Sequence, residues 1–151
     1  MPNRYWQNLI LAGLIAGTLD IAYACLFWSI KVDLPATRIF QSVAAGLLGP
    51  ASFDGGLATA TLGLALHFAI ALAMSAAYFF AAAKWGLLWR RPLVFGAVYG
   101  SLLYLFMHFV VVPLSAASSG SSDPSWIWMS VLVHMFFVGV PIAWFTRRAF
   151  E

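Results

Sequence analysis

The chain has 151 residues, of which 63% are hydrophobic and 9% are charged, and its formal net charge is +3. Soluble domains carry about 25% charged residues, so this composition excludes a water-soluble globule. The eight lysines and arginines form no stretch basic enough to follow a phosphate backbone, which also excludes a nucleic-acid-binding protein. We therefore expect one integral membrane domain, residues 1–151, whose main partner is the lipid bilayer.

Four stretches of the chain are long and apolar enough to cross a bilayer, which takes about 20 residues of helix. A basic connection that contains Lys84, Arg90 and Arg91 separates the second stretch from the third. A run rich in serine, glycine, aspartate and proline, residues 115–125, separates the third from the fourth and predicts a solvated turn. The sequence therefore predicts an all-α membrane protein, a four-transmembrane-helix bundle with helices at about residues 9–30, 57–83, 93–114 and 126–146.

The connection between the first two spans, about residues 31–56, is longer than a turn requires. Pro35 near its start and the pair Gly49-Pro50 at its end bracket a short helix. This segment predicts a short exoplasmic interfacial helix, or a re-entrant one, at the outer mouth of the bundle, acting either as a packed connector or as a moving lid. Its apolar residues recur at helical spacing and form one stripe: Ile39, Phe40, Val43, Ala44, Leu47 and Leu48.

The basic residues predict the orientation of the spans. Only Lys31 and Arg38 lie at one predicted end of the bundle, whereas the other six lie at the opposite end. Because basic residues concentrate on the cytoplasmic side of membrane proteins, we expect a multi-pass protein with both chain termini in the cytoplasm. The six are Arg4, Lys84, Arg90, Arg91, Arg147 and Arg148.

Each of the four spans contains one ionisable residue that membrane helices rarely carry. These residues are Asp20, His67, His108 and His134, and the three histidines are all that the chain has. A charged side chain at the centre of a membrane helix costs about 2.5–3.5 kcal/mol on insertion scales, so such residues usually face a protein interior and mark a working site.

The depth and the helix face of these four residues predict that they meet. With a rise of about 1.5 Å per residue, all four lie roughly 10–16 Å from the outer boundary of the membrane. Residues three, four and seven apart share a helix face, which places Gly17 beside Asp20, Gly63 beside His67, and both Gly100 and Tyr104 beside His108. We therefore predict one buried polar site that opens toward the periplasmic side.

Three kinds of chemistry suit such a site. His67, His108, His134 and Asp20 provide enough ligands for a tetrahedral Zn²⁺, or for Cu or Fe in other geometries. Two histidines on facing helices also suit a b-type haem. The unperturbed pKa of imidazole, about 6.5, makes the same residues suitable for relaying protons or sensing acidity. No local motif such as His-Glu-x-x-His chooses among these readings, so the cofactor stays open.

An alternative is a structural or accessory membrane subunit whose polar core only sets helix packing. Gly13-x-x-x-Gly17 and Gly96-x-x-x-Gly100 are small-residue motifs that allow membrane helices to approach closely. Glycine and alanine faces of this kind also predict a homo-oligomer or a larger membrane complex. An enzyme is the least favoured interpretation, because the chain has no nucleophile elbow, no glycine-rich phosphate loop and no paired catalytic carboxylates.

From the second span onward the sequence resembles the YagU-like family of small multi-pass bacterial inner-membrane proteins. Four short motifs carry the resemblance: residues 66–68 leading to 77–78, residues 105–109 followed by 113–114, residues 133–134 leading to 147–148, and residues 13–17. The resemblance implies a bacterial inner (plasma) membrane location, all three histidines at family-like positions and an association with acid tolerance. It implies no catalytic residue and no cofactor, and it does not extend to Asp20.

Overall fold

The computed structural model describes residues 2–117 and 120–151, and this part of the chain contains helices and no strand. Four of the helices are long and apolar enough to cross a membrane, which confirms the predicted all-helical, multi-pass architecture. The helices in chain order are α1 (Pro2–Val32), α2 (Ala36–Leu48), α3 (Gly56–Lys84), α4 (Leu87–Arg90), α5 (Pro92–Leu114) and α6 (Pro124–Phe150), and a 3₁₀ segment (Gly49–Asp54) joins α2 to α3.

The helices differ from the predicted spans mainly at their ends. The first helix already begins at Pro2 and not near residue 9, because the backbone stays helical through polar residues that a hydropathy pattern leaves out. The predicted turn at residues 115–125 is non-helical at residues 115–117 and 120–123, and residues 118 and 119 lie outside the described part. Four crossings bring both chain ends to one end of the bundle, where the rings of Tyr5 and Phe150 lie 5.6 Å apart.

The half of the bundle that carries the chain ends, called the packed half below, has a continuous apolar core. Two of its hydroxyl groups pair one helix with another: Ser75 donates to the carbonyl of Leu9 at 2.8 Å, and Tyr99 donates to the carbonyl of Met74 at 2.7 Å. The buried core of this half consists of Leu9, Ala12, Ala16, Tyr78, Phe79, Leu103, Val138, Ile142 and Ala143.

Glycines set the closest contacts between the long helices. A Cβ atom on Gly100 would lie 1.9 Å from the carbonyl oxygen of His134, and one on Gly139 would lie 2.0 Å from the carbonyl oxygen of Gly96. Only glycine permits α5 and α6 to approach this closely. Gly13 and Gly17 likewise lie against α3, so both small-residue motifs are used within the chain. The predicted homo-oligomer or larger complex stays a prediction, and it would need other surfaces.

Helix α2 packs against the start of α3 and reaches across to the end of α5. A Cβ on Gly63 would lie 1.8 Å from the carbonyl oxygen of Phe40, and the amide of Gln41 donates to the carbonyl of Gly56 at 3.0 Å. At the far end of α2, the backbone N–H of Ala116 donates to the carbonyl of Gly46 at 3.0 Å. The predicted short helix therefore exists, while its position at the membrane interface stays a prediction.

Two of the spans contain a π-helical segment that was not predicted from the sequence. These segments are Met107–Val111 in α5 and His134–Gly139 in α6. Pro113 and Pro141 follow them, and a proline in a helix has no N–H and displaces the carbonyl four residues before it. In the segment before each proline, the backbone N–H groups therefore bond to carbonyls five residues back instead of four. Such bulges often occur at functional sites, and here each one contains a histidine.

Candidate functional site

The half of the bundle opposite the chain ends, called the cavity half below, encloses a cavity of about 280 Å³. All four predicted site residues line it: Asp20 from α1, His67 from α3, His108 from α5 and His134 from α6. Each long helix therefore contributes one aspartate or histidine side chain to the same space. Among the described residues that line the cavity, Asp20 is the one carboxylate and there is no lysine or arginine.

His134 and Asp20 lie close to each other in the cavity. Nδ1 of His134 lies 3.7 Å from Oδ1 of Asp20, and the side chains are 15% and 25% exposed. The same nitrogen donates a hydrogen bond to the carbonyl of Ser130 at 2.9 Å. Because Nδ1 carries this proton, Nε2 is the nitrogen of His134 that can gain or lose one. The pair becomes an ion pair when Nε2 is also protonated.

His67 connects α3 to the backbone of α1. Its Nε2 donates to the carbonyl of Gly17 at 2.8 Å, one turn before Asp20. Gly17 makes this contact feasible, since a Cβ there would lie 3.0 Å from the Cβ of Ala71 and 3.1 Å from the ring of Phe68. Nδ1 is therefore the nitrogen of His67 that can take up a further proton.

Tyr104 lies between the other two histidines. Its ring stacks on that of His108 with centroids 5.6 Å apart and meets that of His134 edge to face at 5.3 Å. The Tyr104 hydroxyl is buried and has no hydrogen-bond partner among the described residues. Leaving a buried hydroxyl unpaired costs about 1–3 kcal/mol, and such groups call for a specific explanation.

A second hollow, of about 700 Å³, continues the cavity along α2. Trp28, Ile39 and Trp126 line both spaces, so the cavity opens toward the end of the bundle opposite the chain termini. At the rim of this hollow Arg38 donates to the carbonyl of Phe53 at 3.1 Å, and its guanidinium lies 5.5 Å from the ring of Phe53.

An ion pair joins α1 to α6 beside this opening. The ammonium of Lys31 donates to the carboxylate of Asp123 and to the hydroxyl of Ser125. Asp123 also caps α6, because its Oδ1 accepts from the backbone N–H of Trp126 at 3.1 Å. Hydrogen bonds from Lys31, then Ser125, then Trp126 hold the pKa of Asp123 well below its usual range.

The arrangement fits a metal ion only in part. His67 and His134 each donate one ring N–H to a backbone carbonyl, as metal-binding histidines commonly do. Among residues 2–117 and 120–151, however, no three histidine, cysteine, aspartate or glutamate side chains are grouped so that they could hold one ion. The predicted Zn, Cu or Fe site therefore finds no support in this geometry and stays a prediction, as does haem b.

The chain matches no family model, no curated protein and no solved structure. The resemblance to the YagU-like family therefore stays a prediction.

Helical spacing predicts Tyr104 beside His108, but three other aromatic residues of the cavity were not predicted from the sequence. Tyr23, Trp28 and Trp126 line the cavity together with Tyr104. The rings of Tyr23 and Trp126 stack at 5.3 Å, and those of Trp28 and Trp126 lie 5.2 Å apart. For Tyr23 the available signal was its position one helical turn after Asp20, which places both residues on the same face of α1.

Proposed function

We propose that this membrane protein handles protons at a site within the bundle, with Asp20 and His134 as the exchanging pair. The observation that carries the proposal is the distance of 3.7 Å between Asp20 Oδ1 and His134 Nδ1 inside a cavity that His67 and His108 also line. A neighbouring carboxylate stabilises a protonated imidazole, so His134 can take up a proton at Nε2 and release it again.

Access to the site favours exchange from one side. The cavity continues into the hollow along α2, whereas the packed half below it contains Tyr78, Phe79 and Ile142 at no more than 2% exposure. The hydroxyls of Ser75, Tyr78 and Tyr99 in this half each donate to a backbone carbonyl, so among the described residues they do not bond to one another as a proton relay would. We therefore propose a pH-responsive site and not a proton channel.

The proposal also includes the orientation and the location of the protein in the membrane. Six basic residues at the end with the termini, against Lys31 and Arg38 at the other, support cytoplasmic termini and a periplasmic opening. The bacterial inner membrane, the interfacial position of α2 and a link to acid tolerance complete the proposal. The last of these rests on the family resemblance alone.

Titrating the histidines by NMR tests the proposal, because the chain has only three and single substitutions assign all of them. Asp20→Asn is expected to change the titration of His134 more than those of His67 and His108. Asp33→Asn, in the connection after α1, is the control and is expected to change none of them. If all three histidines titrate like free imidazole, with and without Asp20→Asn, the proposal fails.

A second candidate function, that the polar core only sets helix packing, is favoured by one contact. The hydrogen bond between His67 Nε2 and the Gly17 carbonyl joins two spans directly. A purely structural core predicts that Asp20→Asn and His134→Gln lower the melting temperature and leave the titrations of the remaining histidines unchanged. The proton-handling proposal predicts that the titrations change.

A further inference from the structure

We propose that the cavity binds a small organic cation, an ammonium group with apolar substituents, between Asp20 and the aromatic side chains of α1, α5 and α6. The inference deepens the proposed function, on which it rests for the participation of Asp20 in proton exchange. It names a ligand class for the same site.

The charge of the cavity is the first argument. When Asp20 is ionised and the histidines are neutral, the described lining carries one negative charge and no lysine or arginine to balance it. An unbalanced carboxylate inside a membrane bundle is costly, and a bound cation offsets that cost. A protonated His134 is the alternative to a bound cation, because its imidazolium would balance the charge of Asp20 in the absence of a ligand.

The aromatic lining is the second argument. Tyr23, Trp28 and Trp126 form one contiguous cluster in the cavity wall, and Tyr104 contributes a further ring from α5. Cations bind over aromatic faces, most strongly over tryptophan, and aromatic cages are a recurrent way to recognise quaternary ammonium groups. A carboxylate and several aromatic rings that line one cavity favour an alkylated ammonium over a metal ion, which would need converging ligands.

The size of the cavity is the third argument. Its volume of about 280 Å³ lies just under the range of about 300–1,000 Å³ that is usual for drug-sized ligands, so a small molecule fits better than a large one. The hollow along α2 provides a route of entry to it. The size and the route together favour a small ligand that arrives from the side opposite the chain ends.

Protons and the cation are expected to compete. No titratable side chain of α2 lines the cavity, so α2 contributes only Ile39, Ser42 and Val43. If one proton leaves the site when the cation binds, the affinity falls as the pH decreases, by up to about tenfold per pH unit. The titratable groups that face the cavity are Asp20, Tyr23, His67, Tyr104, His108 and His134.

Choline is the probe for the test, and 3,3-dimethylbutan-1-ol, which has the same shape without the charge, is its matched control. Calorimetry on the purified full-length protein at neutral pH is expected to show saturable choline binding and much weaker binding of the alcohol. Asp20→Asn is expected to weaken choline binding about thirtyfold or more, the effect of removing one partner of a buried charge pair. Asp33→Asn is the control and is expected to bind choline as the unchanged protein does.

Trp28→Leu keeps the inference testable if Asp20→Asn does not fold. It is expected to weaken choline binding about three- to thirtyfold, the range of one cation–π contact. Absence of saturable choline binding by folded protein overturns the inference, and so does equal binding of the alcohol or full affinity in folded Asp20→Asn protein. If choline does not bind while the His134 titration still depends on Asp20, the cation site is wrong and the proposed function stands. If choline binds with an affinity that depends on Asp20 but not on pH, the cation site stands and proton exchange is contradicted.

Discussion

The packed half and the cavity half of the bundle are built from the same four helices, but they differ in whether their buried hydroxyl groups have hydrogen-bond partners. In the packed half, the hydroxyls of Ser75 and Tyr99 each reach a carbonyl on another helix. In the cavity half, the Tyr104 hydroxyl has no partner among the described residues, and Asp20 stays 3.7 Å from His134. The cavity half therefore combines paired groups, such as His67 with the Gly17 carbonyl, with a buried hydroxyl that lacks a partner and with exchangeable side chains.

The contact between α5 and α6 marks the boundary between the halves. Gly96, Gly100 and Gly139 bring the two backbones together, and His134 begins the π segment at this same contact. The position of His134 in the cavity is therefore set by packing just below it. Substitutions at this boundary are expected to affect both halves, whereas substitutions on either side should affect one.

The largest effect is expected from Gly100→Ala. The new Cβ would lie 1.9 Å from the carbonyl oxygen of His134 and 2.8 Å from the Cα of Met135, so α6 must move. Overpacking of this kind costs about 1–3 kcal/mol or more of unfolding free energy. We expect a lower melting temperature in detergent and a changed titration of His134.

Gly46→Ala is the matched control for this substitution. Its new Cβ would have no neighbour closer than the Cβ of Ser115 at 3.8 Å, and alanine is the better helix former. We expect an unchanged or slightly higher melting temperature. Equal destabilisation by the two substitutions would show that the close approach of α5 and α6 does not hold the bundle together.

A pair of Tyr→Phe substitutions compares the two halves directly. Tyr99→Phe removes a hydrogen bond to Met74 in the packed half, which is worth about 0.6 kcal/mol on average between membrane helices. Tyr104→Phe removes a buried hydroxyl that has no partner among the described residues, so it is expected to leave the protein equally stable or to stabilise it.

Melting temperatures of the two variants, measured side by side in detergent, check this comparison. The same atom is removed from the same residue type in each case, so differences in side-chain size do not contribute. A larger loss for Tyr104→Phe than for Tyr99→Phe would mean that the Tyr104 hydroxyl is satisfied, for example by ordered water. The contrast between the halves would then be wrong at this residue.

Much of this architecture could be predicted from the sequence, because membrane helices follow directly from hydropathy. The four spans and their ionisable residues needed only composition and helical spacing. The π segments could not be read from apolar periodicity, since they change backbone hydrogen bonding and not the residue pattern. Pro113 and Pro141 were the signal for them.

Two other features show where the sequence is ambiguous. A tryptophan near a helix end suits an interfacial belt as well as a cavity wall, so the place of Trp28 and Trp126 in the cavity was not predicted. A motif such as Gly96-x-x-x-Gly100 suits a contact within the chain as well as a contact with a partner. In both cases the residue type is compatible with two kinds of contact. Only the tertiary arrangement decides which of the two is made.

The smallest effect is expected at the ion pair beside the cavity opening, where Lys31 of α1 meets Asp123 at the start of α6. The pKa of Asp123 is lower in the folded protein than in the unfolded chain, because Lys31, Ser125 and the N–H of Trp126 donate to its carboxylate. The contribution of this group to stability is therefore present above the ordinary carboxyl pKa of about 3.9 and is lost as the pH falls through the lower folded value. Melting temperatures of the unchanged protein and of Asp123→Asn should differ slightly at neutral pH and converge in strong acid.

Two variants separate the ion pair from the helix cap. Asp123→Asn keeps an oxygen that can accept from Trp126, whereas Lys31→Met removes the charge of the partner and leaves the Asp123 cap in place. Both should lose the same small, salt-sensitive increment, because exposed ion pairs are screened by added salt. A difference that persists in strong acid, or that grows with salt, would contradict this account. A large loss at neutral pH would show that the cavity half, like the packed half, depends on its polar contacts for stability.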